Sequence, residues 1–109
     1  MRRKERTVSD FVTVAKTSDI RQGRGKAFTV NGKRIAVFNA DGENFYALAN
    51  ACAHALGPLG RGRVRNGSVI CPVHSYAYDV TNGRCYTDER LRVRSYEVVV
   101  ENDEIKVKC

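Results

Sequence analysis

The chain has 109 residues, 42% of them hydrophobic and 28% charged, with a formal net charge of +7. That length fits one domain, and a domain this small buries a limited core, so a bound cofactor would help to hold it together. No apolar run approaches the roughly 18 residues of a membrane span, and the composition is that of a folded globular chain, which excludes a membrane-spanning or disordered protein.

In chain order, Met1-Arg2-Arg3-Lys4-Glu5-Arg6 is basic, but Thr7-Val8-Ser9-Asp10 follows where a secretory signal needs an apolar stretch. Residues 1–10 are therefore read as a basic arm and residues 11–109 as one domain, with a cytoplasmic location expected. Short runs rich in β-branched and aromatic residues come next, at 11–15, 27–30, 34–39, 45–50, 68–71, 77–80, 92–101 and 104–108. Asn31-Gly32, Asp41-Gly42, Asn66-Gly67, Asn82-Gly83 and Asn102-Asp103 punctuate them as turn signals. Runs 34–39 and 45–50 read as a hairpin, as do 96–101 and 104–108. A single helical turn over 17–20 is expected, with Thr17 or Ser18 as its cap. No segment holds a 3.6-residue apolar period, so the class is all-β, built of short antiparallel strands. Residues 51–67 carry Gly57, Pro58, Gly60, Gly62 and Gly67 and read largely as a loop; loops this long in a compact domain are usually functional.

That loop begins with Cys52-Ala53-His54 and leads to Cys71-Pro72-Val73-His74. Two of the four cysteines thus sit beside the only two histidines. Without a secretory signal a disulfide framework is less favoured than metal binding. A mononuclear zinc site uses two Cys and two His as well, but structural zinc fingers usually pair like ligands, whereas each half here mixes them. The mixed order suits a dinuclear cluster in which one iron takes both Cys and the other both His. Cys85 and Cys109 have no histidine at ligand spacing and are read as non-ligands. The Lys and Arg residues are spread along the chain without interleaved aromatics, so a nucleic-acid platform is not expected. Solvated surface charge is the first reading of them, and an acidic redox partner the second.

The stretch Cys52-Ala53-His54-Ala55-Leu56-Gly57-Pro58-Leu59, with Cys71-Pro72-Val73-His74-Ser75-Tyr76-Ala77-Tyr78-Asp79 and Thr81-Asn82-Gly83, resembles the signature of the Rieske family. The resemblance runs over nearly the whole chain. It implies a sandwich of stacked antiparallel sheets whose two ligand loops form a [2Fe–2S]-binding tip. It assigns Cys52 and Cys71 to the inner iron and His54 and His74 to the outer one. Gly57, Pro58, Pro72, Tyr76 and Tyr78 would surround the cluster. Replacing thiolates by neutral imidazoles removes negative charge from the cluster, which raises its potential from about −400 mV to between about −150 and +300 mV. Imidazoles that take up a proton on reduction would make that potential fall at alkaline pH.

High-potential family members carry a second cysteine pair where this chain has Gly57 and Val73, and a serine donor where it has Tyr76; their tyrosine donor is matched by Tyr78. The lower half of the potential range is therefore expected. A catalytic mononuclear iron would need further histidines, and both are committed, so the resemblance implies an electron-transfer component and not an enzyme. No G-x-G-x-x-G motif is present for a nicotinamide cofactor. A respiratory subunit would want a membrane anchor and the second cysteine pair, and this chain shows neither. The expected role is that of a ferredoxin carrying single electrons from a flavin reductase to a terminal oxygenase, such as an aromatic-ring dioxygenase. The alternative is the small subunit of an NAD(P)H nitrite reductase. The partners expected are redox proteins, with no nucleic acid and no membrane, and the chain is expected to be a monomer. A non-redox binding module remains the competitor from another class.

Overall fold

The computed structural model describes residues 11–51, 58–73 and 75–108. Nine strands occupy them: β1 (Phe11–Lys16), β2 (Gly25–Val30), β3 (Lys33–Asn39), β4 (Phe45–Ala49), β5 (Arg63–Arg65), β6 (Ser68–Ile70), β7 (Ala77–Asp79), β8 (Ser95–Glu101) and β9 (Glu104–Lys108). They form a six-stranded sheet in the order β1-β9-β8-β4-β3-β2 and a three-stranded sheet in the order β5-β6-β7. Every pairing is antiparallel. Strand β8 changes partner along its length: Ser95 and Tyr96 pair with β4, and Glu97 to Glu101 pair with β9. The all-β expectation holds, and both expected hairpins are present with continuous register.

Three connections are two-residue hairpin turns, at Asn31-Gly32, Asn66-Gly67 and Asn102-Asp103. All six residues have positive φ, between 51° and 80°. That geometry matches the right-handed twist of the flanking strands, and Asn, Asp and Gly reach it at least cost. The β3–β4 turn is closed differently. The Asp41 carboxylate accepts N–H bonds from Glu43 at 2.9 Å and Asn44 at 2.8 Å, and the Asn44 side-chain amide at 2.8 Å. The Asn44 bonds foremost hold its carboxyl below the ordinary value.

Three expectations are corrected. The helical turn is a 3-10 turn at Thr17–Asp19, and neither Thr17 nor Ser18 caps it. Lys16 holds the cap position and donates its N–H to the Asp19 carboxylate at 2.9 Å, while the Thr17 N–H is taken by the Asp103 carbonyl at 2.9 Å. Within the segment read as loop lie a 3-10 turn, Leu59–Arg61, and strand β5. Val64 faces inward between two outward arginines, and its N–H donates to the Gly23 carbonyl at 2.9 Å. The run expected at 92–101 also starts later, at Ser95, because Arg92 makes only an isolated bridge to Arg84.

Strand β3 divides the core. Ile35 and Val37 join Ile20, Val30, Phe45, Ala47, Ile105 and Val107 on one side. Ala36 and Phe38 join Leu48, Leu59, Val69, Cys71, Tyr78, Val80, Cys85 and Val93 on the other. Residues Ile35 to Asn39 are all buried because both faces of β3 are covered, one by β9 and one by the three-stranded sheet. Ile35, Val37 and Phe38 each contribute about 1.5–3 kcal/mol on leaving water. The second cluster carries the candidate site.

Candidate metal centre

Cys71 follows directly on β6 and is fully buried in the second cluster. Its N–H donates to the Tyr76 carbonyl at 2.7 Å, and its carbonyl accepts the Ser75 N–H at 2.9 Å. These bonds close a turn over residues 71–76 between β6 and β7, with Ser75 at φ 60°. Of the four expected ligands only Cys71 is among the described residues; Cys52, His54 and His74 lie outside them, as do Gly57, Cys109 and the basic arm 1–10. Among the described residues, no three Cys, His, Asp or Glu side chains gather as a metal site.

The ends of the first ligand segment are well defined. Asn50, 8% exposed, ends the apolar run of β4, and its N–H donates to the Arg34 carbonyl at 2.9 Å. Its side-chain Oδ1 accepts the Gly60 N–H at 2.7 Å. The two positions that bracket Cys52 and His54 are thus tied to each other. Gly60 is closely packed, since a Cβ would lie 3.0 Å from Asn50 Oδ1 and 3.3 Å from the Ala27 nitrogen and these neighbours would have to give by a few tenths of an ångström. Between them and Cys71, Leu59 is fully buried in the same cluster. Gly62 lets β5 close onto β6, because a Cβ there would run into the Ile70 carbonyl oxygen, one residue before Cys71. The chain on both sides of the first motif is therefore gathered at the corner that holds Cys71.

The remaining expected residues divide. Tyr78 is fully buried beside Cys71 in the cluster, opposite Val69 in the ladder and bridged to Cys85. Tyr76 packs half-buried against the same cluster and supplies the carbonyl that holds the Cys71 N–H. Pro72 and Pro58 are exposed, and Pro58 leads into the 3-10 turn, where its carbonyl accepts the Arg61 N–H at 3.0 Å. Cys85 is buried, and its sulfur accepts the Asp88 N–H at 3.4 Å.

After β7 a brace forms around Asp79 and Thr81, residues of the family signature whose role as a brace the sequence does not reveal. Tyr86 donates its hydroxyl to Asp79 Oδ2 at 2.8 Å, and Thr81 donates its hydroxyl at 2.6 Å and its N–H at 2.9 Å to Asp79 Oδ1. Burial opposes the charged form of Asp79, but the Thr81 and Tyr86 bonds and the Arg84 charge outweigh it, so this carboxyl lies below its ordinary value. The same bond to Asp79 raises the Tyr86 hydroxyl above its own. Asn50, Gly60 and Gly62 were also missed: each is an ordinary turn residue in sequence, and only the packing gives it a role.

The chemistry of the described donor fits an iron–sulfur centre. Cys71 lies in an apolar, water-excluded shell, where a bare thiolate is disfavoured and one neutralised by iron is not. No Asp or Glu occurs anywhere in residues 45–78, so no carboxylate competes as a hard ligand.

Residues 10–97 match the family model described as the Rieske [2Fe-2S] domain. The chain belongs to the Rieske family. Its cofactor is accordingly one Rieske-type [2Fe–2S] cluster. This Rieske chain is similar to the ferredoxin component of the naphthalene 1,2-dioxygenase/salicylate 5-hydroxylase systems of Ralstonia sp. The two are 29% identical over 100 residues, 91% of this chain and 95% of that one. Among solved structures it resembles the ferredoxin of carbazole 1,9a-dioxygenase from Nocardioides aromaticivorans IC177, at 35% identity and a TM-score of 0.83, covering 90% of this chain and 96% of that one. A ferredoxin solved with its reduced oxygenase in carbazole 1,9a-dioxygenase is 26% identical with a TM-score of 0.78, over 88% and 99% of the two chains. A Mycobacterium tuberculosis chain assigned as the small subunit of an NADH-dependent nitrite reductase shares the fold at 24% identity and a TM-score of 0.83, over 91% and 94% of the two chains. Among the described residues no helix is long and apolar enough to cross a membrane.

Proposed function

We propose that this Rieske protein is a soluble, cytoplasmic ferredoxin that carries single electrons from a flavin reductase to a terminal oxygenase of the aromatic-ring dioxygenase kind. Cys52 and Cys71 hold one iron of its cluster, and His54 and His74 the other. The observation that carries the reading is that the relatives it spans almost end to end are ferredoxin components. When bound, the cluster supplies a centre that gains and loses one electron. The chain's own residues set the surroundings. Phe38, Leu59, Val69 and Tyr78 keep water from the Cys71 side, and the Asn50–Gly60 bond fixes the ends of the loop that brings Cys52 and His54. The two histidines of the sequence are both used, which leaves none for a second, catalytic metal.

Purified protein should be red-brown, with iron and acid-labile sulfide near two each per chain, and should bleach when mixed with NADH and a flavin reductase. A colourless protein without iron overturns the reading. The nitrite-reductase alternative, favoured by the shared fold, predicts a stable complex that co-purifies. A ferredoxin instead meets its partners transiently, at a rate that falls with salt.

A further inference from the structure

The cations that the sequence scatters are partly gathered by the fold. Arg61 ends the 3-10 turn and lines two adjoining concavities. One, of about 380 Å³, is also lined by Lys26, Arg34 and Asn50. The other, of about 460 Å³, is also lined by Arg63, Arg65, Cys71 and Pro72. All five cations are exposed, and no Asp or Glu lines either concavity. The described ion pairs, Arg90–Asp88 and Lys106–Glu101, involve none of them.

We propose that this basic arc of Lys26, Arg34, Arg61, Arg63 and Arg65, curved around the 3-10 turn beside Cys71, is the docking face for an acidic redox-protein partner. The proposal rests on the electron-carrier reading and names the surface through which it would work. Like charges with no counterion repel one another, and an incoming carboxylate-rich surface relieves that repulsion and is steered by the field. At the edge of the arc Pro72 is exposed and Val73 is 49% exposed, next to the buried Cys71. A small apolar patch with a charged rim is the usual anatomy of a protein interface. The position keeps the electron's path short, because Cys71, the proposed ligand, lines the same concavity as Arg61, Arg63 and Arg65. A single-stranded nucleic acid would want aromatic side chains for stacking, and none lines either concavity.

The test uses cytochrome b5, a redox protein with an acidic haem edge, as the probe. The 15N-labelled protein is titrated with it, and separately the reduced protein is mixed with ferric cytochrome b5 in a stopped-flow instrument. Amide shifts should concentrate at residues 26, 34, 61–65 and 73 and fade as salt rises from about 20 to about 300 mM, over which the Debye length shrinks several-fold. The electron-transfer rate should fall at least about tenfold over that range, and about tenfold in R63E/R65E at low salt. K16E/K108E on β1 and β9 makes the same change in net charge and should stay within about twofold. Equal slowing in both variants, or shifts on another face, overturns the proposal. So does binding of a DNA duplex at about 150 mM salt that R63E/R65E abolishes, which would assign the arc to nucleic acid. A protein that holds no iron defeats the electron-carrier reading, while the shift map, which needs no iron, still reports where the acidic probe docks.

Discussion

Replacing Asn50 by Ala removes a side-chain bond that ties the two ends of the first proposed ligand segment. Asn50 is 8% exposed, its Oδ1 accepts the Gly60 N–H at 2.7 Å, and Gly60 is itself buried. The truncation leaves that amide without a partner in a place water does not reach, which costs about 1–3 kcal/mol. For a domain of this size each kcal/mol moves the melting temperature by about 4–8 °C, so a loss of roughly 5–20 °C is expected. The loss should also show at the cluster, because the loop that leaves at Asn50 carries Cys52 and His54 and returns at Gly60. The assay is thermal unfolding by circular dichroism together with the rate at which visible absorbance bleaches in the presence of a chelator. N50A should melt earlier and bleach several-fold faster. N50D keeps an oxygen in the same place and should recover part of the bleaching rate. An N50A protein that melts within about 2 °C of the parent and bleaches at the same rate would refute the anchoring argument.

The other expectations concern the opposite half of the site and the brace behind it. G62A sets a methyl group against the Ile70 carbonyl and Val69, and such overpacking costs about 1–3 kcal/mol, read as a lower urea midpoint and weaker cluster retention; an unchanged midpoint rejects the close approach. C71S should lose the visible spectrum, whereas C85S, whose sulfur accepts the Asp88 N–H, should keep iron near two per chain; the reverse result would reassign the ligands. The Asp79 carboxyl is lowered in the fold, so its contribution is full above the unfolded value near 3.9 and is lost as pH falls through the folded one. D79N should therefore be less stable at neutral pH and lose less between about pH 5 and pH 2 than the parent, by urea midpoints. Y78F should lower the reduction potential by about 40 mV if its hydroxyl donates to sulfur, since a hydrogen bond of about 1 kcal/mol corresponds to about 40 mV for one electron; no shift rejects that role.

The parts of the fold legible in sequence are those that a local rule decides. Asn31-Gly32, Asn66-Gly67 and Asn102-Asp103 read as turns because only such residues take two successive positive φ values cheaply. The run Ile35-Ala36-Val37-Phe38 reads as a strand, and its lack of alternation follows from burial on both faces. Strand β5 was hidden because Arg-Val-Arg between glycines has too few residues to show a period, and its identity comes from Ser68 to Ile70 pairing with it. The proposed ligand motifs, Cys52-x-His54 and Cys71-x-x-His74, stand out by spacing and residue type. Their supports were not: Asn50, Gly60 and Gly62 act through neighbours that are distant in sequence. The basic arc was likewise invisible, since Lys26, Arg34 and Arg61 to Arg65 come from β2, β3 and the segment before β6, and sequence alone reads them as dispersed.

The two ligand segments are held by different physics, and that difference bears on what an electron carrier needs. Cys71 hangs from a strand whose neighbours are core residues, so its position is set by packing that resists small displacements. The ends of the first segment are set by a directional bond between Asn50 and Gly60 and by the insertion of Leu59. A carrier works best when its surroundings change little between the two redox states, because every group that must move adds to the barrier for transfer. Packing supplies that rigidity on the inner side without placing a carboxylate near the centre. The acid-free stretch of residues 45–78 then leaves the adjoining surface to three arginines, 61, 63 and 65. A neighbouring positive field favours the reduced cluster and attracts an acidic partner at once, so the same arginines would bias both the potential and the encounter. Separating the two effects requires comparing R63E/R65E with the parent in a redox titration as well as in the salt series: a large drop in rate with a small drop in potential is the signature of docking.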